Sequence, residues 1–160
     1  MKKEIAITDL TRMHQGRVCI AGYDREGNCI RPVLPHPGIS QSSLLRQNKA
    51  FIFPNAVVEF DFIQHTPKPP HTEDYVYDPA SPRFVKILTE KQRRNVIQLS
   101  LFKNVEDIFE QAILRDPGFS VMDGKGPRSA GTIQPAAIYE VVYEADEENW
   151  DYRIRFDDAD

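Results

Sequence analysis

The sequence contains little cysteine and no long apolar run. Two cysteines in 160 residues exclude the disulfide-rich scaffolds of small secreted domains. No apolar stretch approaches about 18 residues, so we expect no membrane-spanning helix. The first ten residues, MKKEIAITDL, carry acids within a short apolar stretch, which is not the pattern of a secretory signal. These absences favour a cytoplasmic protein with no membrane partner.

Charge is unevenly distributed along the chain, whose net charge is −4. Residues 144–160 carry eight acidic and two basic side chains, which is typical of a solvated edge. The remaining residues carry 18 basic and 16 acidic side chains and are nearly neutral. Proteins that bind duplex nucleic acid without sequence preference usually present a strongly basic face. The composition therefore does not favour that class, although it leaves room for a local basic groove.

The apolar pattern predicts mainly strands, with fewer helices. Because strands and helices do not alternate, we predict an α+β, β-rich domain with an OB-like small barrel and two to three inserted helices. The length is that of one domain, residues 1–160. Strands are predicted at Glu4–Asp9, Arg17–Tyr23, Asn28–Leu34, Ala56–His65, Ala137–Ala145 and Trp150–Phe156. The last two are predicted to form a hairpin with residues 146–149 as its turn. Helices are predicted at Ile39–Gln47 with Ser40 as N-cap, at Thr89–Leu99, and at Val105–Leu114 with Asn104 as N-cap.

The two cysteines lie in the two arms of the first predicted hairpin. Cys19 and Cys29 are out of register across the turn at Glu26-Gly27, which is too far apart for a disulfide. We expect two small buried side chains, and no spacing between them suggests a zinc site.

A proline-rich stretch, HTPKPPHTED, brings several metal-ligand residue types together. His65, His71, Glu73 and Asp74 lie within ten residues, but their spacing is not that of a helical zinc motif. Three interpretations stay open: a metal site, a rigid loop without a ligand, and a contact with a non-metal ligand through His71, Thr72, Glu73 and Asp74. Because proline stiffens this loop, little conformational entropy would be lost on binding.

A glycine-rich stretch, DGKGPRSAGT (residues 123–132), could hold an anion. Backbone N–H groups in such loops cradle anions, and Lys125 and Arg128 would add charge. The stretch is not a P-loop, because Gly124-Lys125 is followed by Gly126-Pro127 and no earlier glycine has the required spacing. A plain surface loop is the alternative.

Arginines on predicted strands suggest a third candidate site. Arg12, Arg31, Arg153 and Arg155 could line one groove if the barrel forms. Surfaces that bind single strands combine such charges with aromatic rings on which bases stack. Solvated or ion-paired arginines are the alternative. We find no nucleophilic triad and no GxSxG elbow in the sequence.

Four blocks of the sequence resemble the prokaryotic dual OB-containing domain family. They are Ile7–Pro35, Ala56–Tyr75, Gly124–Pro135 and Tyr152–Phe156, and they span nearly the whole chain. The resemblance implies two OB-like barrels, here interleaved with the second incomplete, since the family continues with further sheet beyond the last block. It also implies binding of nucleic acid or a nucleotide. The residues of these blocks that it singles out are Asp9, Thr11, Arg12, Arg31, Pro32, His71, Thr72, Glu73, Asp74, Arg128, Gly131 and Arg153.

Together, these observations favour a non-enzymatic OB-like module that binds single-stranded nucleic acid or a nucleotide-like anion, without a cofactor. In this hypothesis Arg12, Arg31, Arg128 and Arg153 contact phosphates. His71 and Tyr75 stack on a base, and Thr72, Glu73 and Asp74 complete the site, with Glu73 or Asp74 accepting from base or ribose donors.

Two other hypotheses remain. One is a metal-dependent hydrolase or nuclease that uses His65, His71, Glu73 and Asp74. The other is a protein-interaction module that pairs through its C-terminal edge strand, for example as a homodimer.

Overall fold

The computed structural model describes residues 1–115, 120–122, 124–145 and 150–158. Its helices are α1 (Glu90–Ser100) and α2 (Val105–Phe109), and 3-10 turns lie at His14–Gly16 and Gln41–Leu44. Neither helix is long and apolar enough to cross a membrane. The strands of the described residues are β1 (Lys2–Met13), β2 (Arg17–Tyr23), β3 (Cys29–Val33), β4 (Ile39–Ser40), β5 (Leu45–Arg46), β6 (Lys49–Ala50), β7 (Ala56–His65), β8 (Asp74–Tyr77), β9 (Arg83–Ile87), β10 (Leu101–Phe102), β11 (Thr132–Ile133), β12 (Ala137–Ala145) and β13 (Trp150–Asp157).

Five strands close into a mixed barrel in the order β1-β2-β3-β8-β7, with β7 pairing back onto β1. The β3–β8 pair is parallel and the other four pairs are antiparallel. Strand β7 is long enough to pair with β1 along one edge while β9 and β8 share the other. A five-stranded Greek-key barrel of this kind is the OB architecture. The structure thus confirms the predicted β-rich fold with an OB-like barrel and two helices.

The barrel interior holds the main hydrophobic core. Alternation along β1 points Ile5 and Ile7 inward, and both are fully buried. On β7, Phe60 packs edge-on against Tyr77 of β8, with ring centroids 5.1 Å apart. The core comprises Ile5, Ile7, Val18, Ile20, Ile30, Ile39, Leu44, Ile52, Ala56, Val58, Phe60, Phe62 and Tyr77.

Asp24 organises the turn of the predicted β2–β3 hairpin. Its carboxylate accepts hydrogen bonds from the backbone N–H of Glu26 (3.1 Å) and of Asn28 (2.9 Å), and it forms an ion pair with Lys3 at 2.8 Å. The turn places Tyr23 opposite Cys29, and both cysteines are free and only partly buried. Cys29 is thus paired with Tyr23 and not with Cys19, and the full burial expected for both cysteines is not observed.

The segment predicted as a helix at Ile39–Gln47 is the clearest local error. It forms β4, a single 3-10 turn at Gln41–Leu44, and β5. Ser40 makes no capping bond to the backbone there, and its hydroxyl instead contacts those of Ser42 and Ser43. Serine side chains compete with helical backbone bonds in this way. Ile39 instead pairs with Val18 of β2 and is buried in the core.

The two other predicted helices are present. Helix α1 begins with a capping box between Thr89 and Gln92, as predicted from the threonine. Helix α2 begins at the predicted cap Asn104 but ends at Phe109, because Glu110 adopts a left-handed conformation. The predicted end at Leu114 is therefore too late.

Strands β12 and β13 form a separate antiparallel hairpin, as predicted. Directly after β13, the Asp158 carboxylate accepts a hydrogen bond from the backbone N–H of Val105 at 2.9 Å, which links this end of the hairpin to the start of α2. The predicted turn of this hairpin, residues 146–149, lies outside the described residues.

Candidate functional site

A cleft of about 410 Å³ lies between the β2–β3 turn, the β7–β8 loop and the C-terminal end of α1. Its size falls in the usual range of small-ligand sites. It combines aromatic, thiol, hydroxyl and carboxylate groups. The lining residues are Tyr23, Gly27, Asn28, Cys29, His65, Thr72, Glu73, Tyr75, Leu99, Ser100, Phe102, Pro127, Arg128 and Ala130.

Glu73 is the most unusual residue of the cleft. It is only 5% exposed, and its Oε1 accepts hydrogen bonds from the backbone N–H of Ser129 at 3.1 Å and from the Ser129 hydroxyl. Its other oxygen, Oε2, is buried and has no hydrogen-bond partner among the described residues. A buried carboxylate oxygen without a partner is costly, and most such atoms in proteins are satisfied. This atom therefore marks where a donor from a ligand would be stabilising.

The two loops that the sequence singled out separately are bound to each other here. The Thr72 hydroxyl donates to the Pro127 carbonyl, and Ser129 donates to Glu73. The short parallel pair β10–β11 brings the glycine-rich segment beside the end of α1, where the Ser100 and Thr132 hydroxyls lie 2.8 Å apart. Both loops thus form one wall of the cleft.

Aromatic rings form a second wall. His65 stacks on Tyr75 with ring centroids 4.1 Å apart and planes 12° from parallel. Tyr75 also meets Phe62 edge-on at 5.5 Å, so the stack is anchored in the barrel core. The Nε2 of His65 lies 2.7 Å from the Thr72 carbonyl, which holds the ring in place. The prediction named His71 and Tyr75 as stacking residues, but in the structure it is the exposed His65 that covers Tyr75.

The inner end of the cleft is a poor environment for negative charge. Burial, together with the nearby Glu73, raises the pKa of the Cys29 thiol to about 12. Burial likewise raises the pKa of Tyr23 above its usual value, with Cys29 adding to the effect. Both groups are protonated at neutral pH, and Tyr23 interacts with Cys29 and with Ser100.

Arg31 and Asp74 are paired with each other across the parallel strands β3 and β8. The guanidinium Nη2 lies 2.9 Å from one carboxylate oxygen and Nε contacts the other, a bidentate arrangement. Burial alone would lower the pKa of Arg31, but the hydrogen bonds and charge of Asp74 raise it overall. Neither residue lines the cleft, so this pair joins two barrel strands.

Arg128 is also largely occupied by protein groups. Its Nη1 donates to the Ile108 carbonyl at 2.8 Å, near the C-terminal end of α2, and its Nη2 donates to Glu110 at 2.9 Å. Its guanidinium carbon lies 4.8 Å from the centre of the Phe102 ring. The residue therefore shapes the wall of the cleft and holds α2 against it.

The remaining predicted residues lie outside the cleft. Arg12 is exposed on β1, opposite Val18 of β2. Arg153 lies on β13, opposite Val142. His71 has a buried Nδ1 without a partner among the described residues, but it does not line the cleft. The four predicted arginines are thus on separate elements, and no described contact joins them into one groove.

The structure does not assemble the alternative metal site. Asp74 binds Arg31, Glu73 binds Ser129, and His65 contacts Thr72. Among the described ranges, no three His, Cys, Asp or Glu side chains come close enough to hold one metal ion.

Several cleft residues had no signal in the sequence. Tyr23 and Ser100 belong to ordinary strand and helix patterns, and Phe102 follows a helix end. They meet only because α1 packs its last turn over the β2–β3 turn, where a Cβ on Gly27 would lie 3.4 Å from the Leu99 side chain.

Comparison with known protein families gives a match to the dual OB-containing domain over residues 3–159. The chain belongs to the dual OB-containing domain family. Its described residues form one closed OB-type barrel, and the β10–β11 and β12–β13 pairs of this dual OB-containing domain lie outside that barrel. No curated protein and no solved structure matches the chain significantly.

Proposed function

We propose that this dual OB-containing domain is a non-enzymatic module that binds single-stranded nucleic acid or a nucleotide, with one base seated in the cleft beside Glu73. OB barrels commonly bind such ligands on strands 2 and 3 and on the loops that join strands 1–2 and 4–5. The cleft uses part of this region, since Tyr23 at the end of β2, Cys29 at the start of β3 and the β7–β8 loop line it.

The unpartnered Oε2 of Glu73 is the observation that carries this proposal. Nucleobases present amino and imino N–H groups on their edges, and carboxylates accept from them. Because Oε1 is already held by Ser129, the side chain is fixed before a ligand arrives. A base donor would satisfy Oε2 without the loss of side-chain freedom that a mobile glutamate would incur.

The His65–Tyr75 stack supports the same ligand class. His65 is exposed and rests on a ring that is itself packed on the core. Stacking of a base on an aromatic side chain contributes about 1–3 kcal/mol and tolerates any base. A base-edge acceptor next to a stacking ring is therefore a suitable combination for a nucleobase.

Phosphate contacts contribute less to the affinity in this proposal than the contacts with the base. Arg31 and Arg128 already bind protein groups. Arg12 is exposed, but it pairs with Val18, five residues along β2 from Tyr23 of the cleft, so only a single strand longer than one nucleotide could bring a phosphate to it. We therefore expect a weak dependence of affinity on salt, because few counterions are released.

The Glu73→Gln variant tests the proposal. Glutamine can keep the acceptor that Ser129 needs while replacing the free oxygen with an N–H₂ donor. We expect affinity for labelled single-stranded DNA and RNA to fall roughly 10-fold or more, since a hydrogen bond to a charged group contributes about 1.5–3 kcal/mol. Fluorescence anisotropy at low and moderate salt measures the change.

Glu90→Gln is the matched control, because Glu90 is exposed at the opposite end of α1. It should bind like the unmodified protein, and Arg12→Ala should mainly flatten the salt dependence. Absence of binding at low salt to either strand would falsify the proposal. If Glu73→Gln binds as tightly as the unmodified protein, the base is not seated beside Glu73.

A further inference from the structure

The β12–β13 hairpin carries an apolar face whose side chains remain well exposed. Its cross-strand pairs alternate between apolar and polar. The apolar pairs are Ile138 with Phe156, Val141 with Ile154, and Tyr143 with Tyr152.

Side-chain alternation places the three apolar pairs on one face of the hairpin and the charged residues on the other. A bulge at Tyr139 keeps the apolar pairs on one face, because the register shifts between Ile138 and Glu140. The opposite face carries the Glu140–Arg155 ion pair at 3.5 Å and the Val142–Arg153 pair. The apolar face itself bears no charged residue.

All six apolar side chains are well exposed, between 40% and 68%. Each aromatic side chain has about 150–250 Å² of surface, so the face exposes on the order of 600 Å². That is the upper limit for the largest apolar patch of a typical monomer. An isolated two-stranded hairpin is also at best marginally stable in water, so a cover for this face would stabilise it.

We propose that the cover is a second copy of this chain, packed face to face on the same six residues. Two such faces would bury on the order of 1,200 Å², which reaches the lower limit of specific protein interfaces. A two-fold arrangement brings apolar side chains against apolar side chains and leaves the charged residues in solvent. Each face complements itself, as an isologous dimer requires.

This proposal concerns the face of the hairpin, whereas the sequence suggested pairing through the edge of its last strand. It is also independent of the Glu73 cleft. None of the six residues lines that cleft, so dimerisation and ligand binding can succeed or fail separately.

Two neighbouring valines provide a matched test. Val141 lies on the apolar face, and Val142 lies on the polar face opposite Arg153. The masses of the full chain and of Val141→Glu and Val142→Glu are measured by light scattering after gel filtration, at about 5–200 μM. Circular dichroism reports whether each variant is folded.

We expect the unmodified chain and Val142→Glu to reach about twice the 18.4 kDa of one chain. Val141→Glu should remain at the mass of one chain, because dimerisation would bury an unpaired charge. Ile154→Glu provides a second variant on the same face. An unmodified chain that stays monomeric at the highest concentration overturns the proposal, whether or not the variants fold. So does a dimer that persists in both Val141→Glu and Ile154→Glu.

Discussion

Two buried carboxylates in this protein have opposite hydrogen-bonding situations. Asp24 has its oxygens occupied by Lys3, Glu26 and Asn28. Glu73 has one oxygen occupied and the other without a described partner. Burial disfavours a charged carboxylate unless hydrogen bonds compensate. Asp24 is therefore a structural residue of the barrel, while Glu73 is the residue from which we infer binding.

Asp24→Asn tests the structural role at this scale. Burial would raise the pKa of Asp24, but the bonds from Lys3 and Asn28 lower it below its ordinary value. Asparagine keeps an acceptor for the turn but loses the ion pair with Lys3. We therefore expect the free energy of unfolding at pH 7 to fall by about 1–3 kcal/mol. Urea titration followed by circular dichroism measures this difference.

The pH dependence of the same variant has a definite sign. Because the pKa of Asp24 is lower in the folded chain than in the unfolded chain, its stabilisation is complete well above about pH 3.9. It disappears as the pH falls through the folded pKa. The difference in unfolding free energy between the unmodified protein and Asp24→Asn should therefore shrink between about pH 5 and pH 2. A difference that stays constant over this range would contradict the ion-pair explanation.

At the scale of elements, N-caps distinguish the helices that form from the one that does not. Thr89 accepts from the Gln92 backbone, and Asn104 accepts from the Asp107 backbone. Ser40 makes no such bond. A residue of a capping type therefore predicts a helix correctly only where the residues that follow it can bury their apolar side chains as a helix.

A pair of alanine variants tests this distinction. Thr89→Ala removes the capping box of α1 and should lower the free energy of unfolding by about 1 kcal/mol. Ser40→Ala removes only hydroxyl contacts among exposed serines and should change it by less than about 0.5 kcal/mol. Equal losses in thermal or urea unfolding would show that the Thr89 cap is not what stabilises α1.

At the scale of the whole molecule, barrel closure depends on a close approach between β1 and β2. A Cβ at Gly22 would lie 2.2 Å from the Ala6 carbonyl oxygen and 2.8 Å from an Ile5 methyl group. Both neighbours belong to β1, which pairs with β2 on one side and β7 on the other. No small adjustment of a side chain relieves a contact with backbone.

We therefore expect Gly22→Ala to lower the free energy of unfolding by more than about 3 kcal/mol or to prevent folding. Gly16→Ala is the control: its Cβ would meet nothing within 4 Å, although its φ of +66° is unfavourable for alanine. That control should cost only about 1–2 kcal/mol. Thermal unfolding by circular dichroism separates the two, and similar melting temperatures would refute the importance of the β1–β2 approach.

The sequence by itself determined most strands, the starts of the two helices that form, the C-terminal hairpin and the family. These follow from alternation, capping residues and motifs, which are local properties of the chain. It could not determine that Ile39 and Ser40 pair with β2, so that the predicted helix over Ile39–Gln47 does not form, because burial against a distant strand outweighs local preference.

Only the tertiary structure decided the candidate site. Four of the residues that line the cleft were predicted as ligand-binding residues, namely Thr72, Glu73, Tyr75 and Arg128. Ser129, which binds Glu73, and the lining residues Tyr23 and Ser100 could not be deduced, since loops far apart in sequence meet only after the barrel closes. The same packing assigned Arg31 to Asp74 and left one oxygen of Glu73 without a partner among the described residues. Which charges are neutralised and which polar atoms stay available depends on three-dimensional contacts, and residue spacing does not encode them.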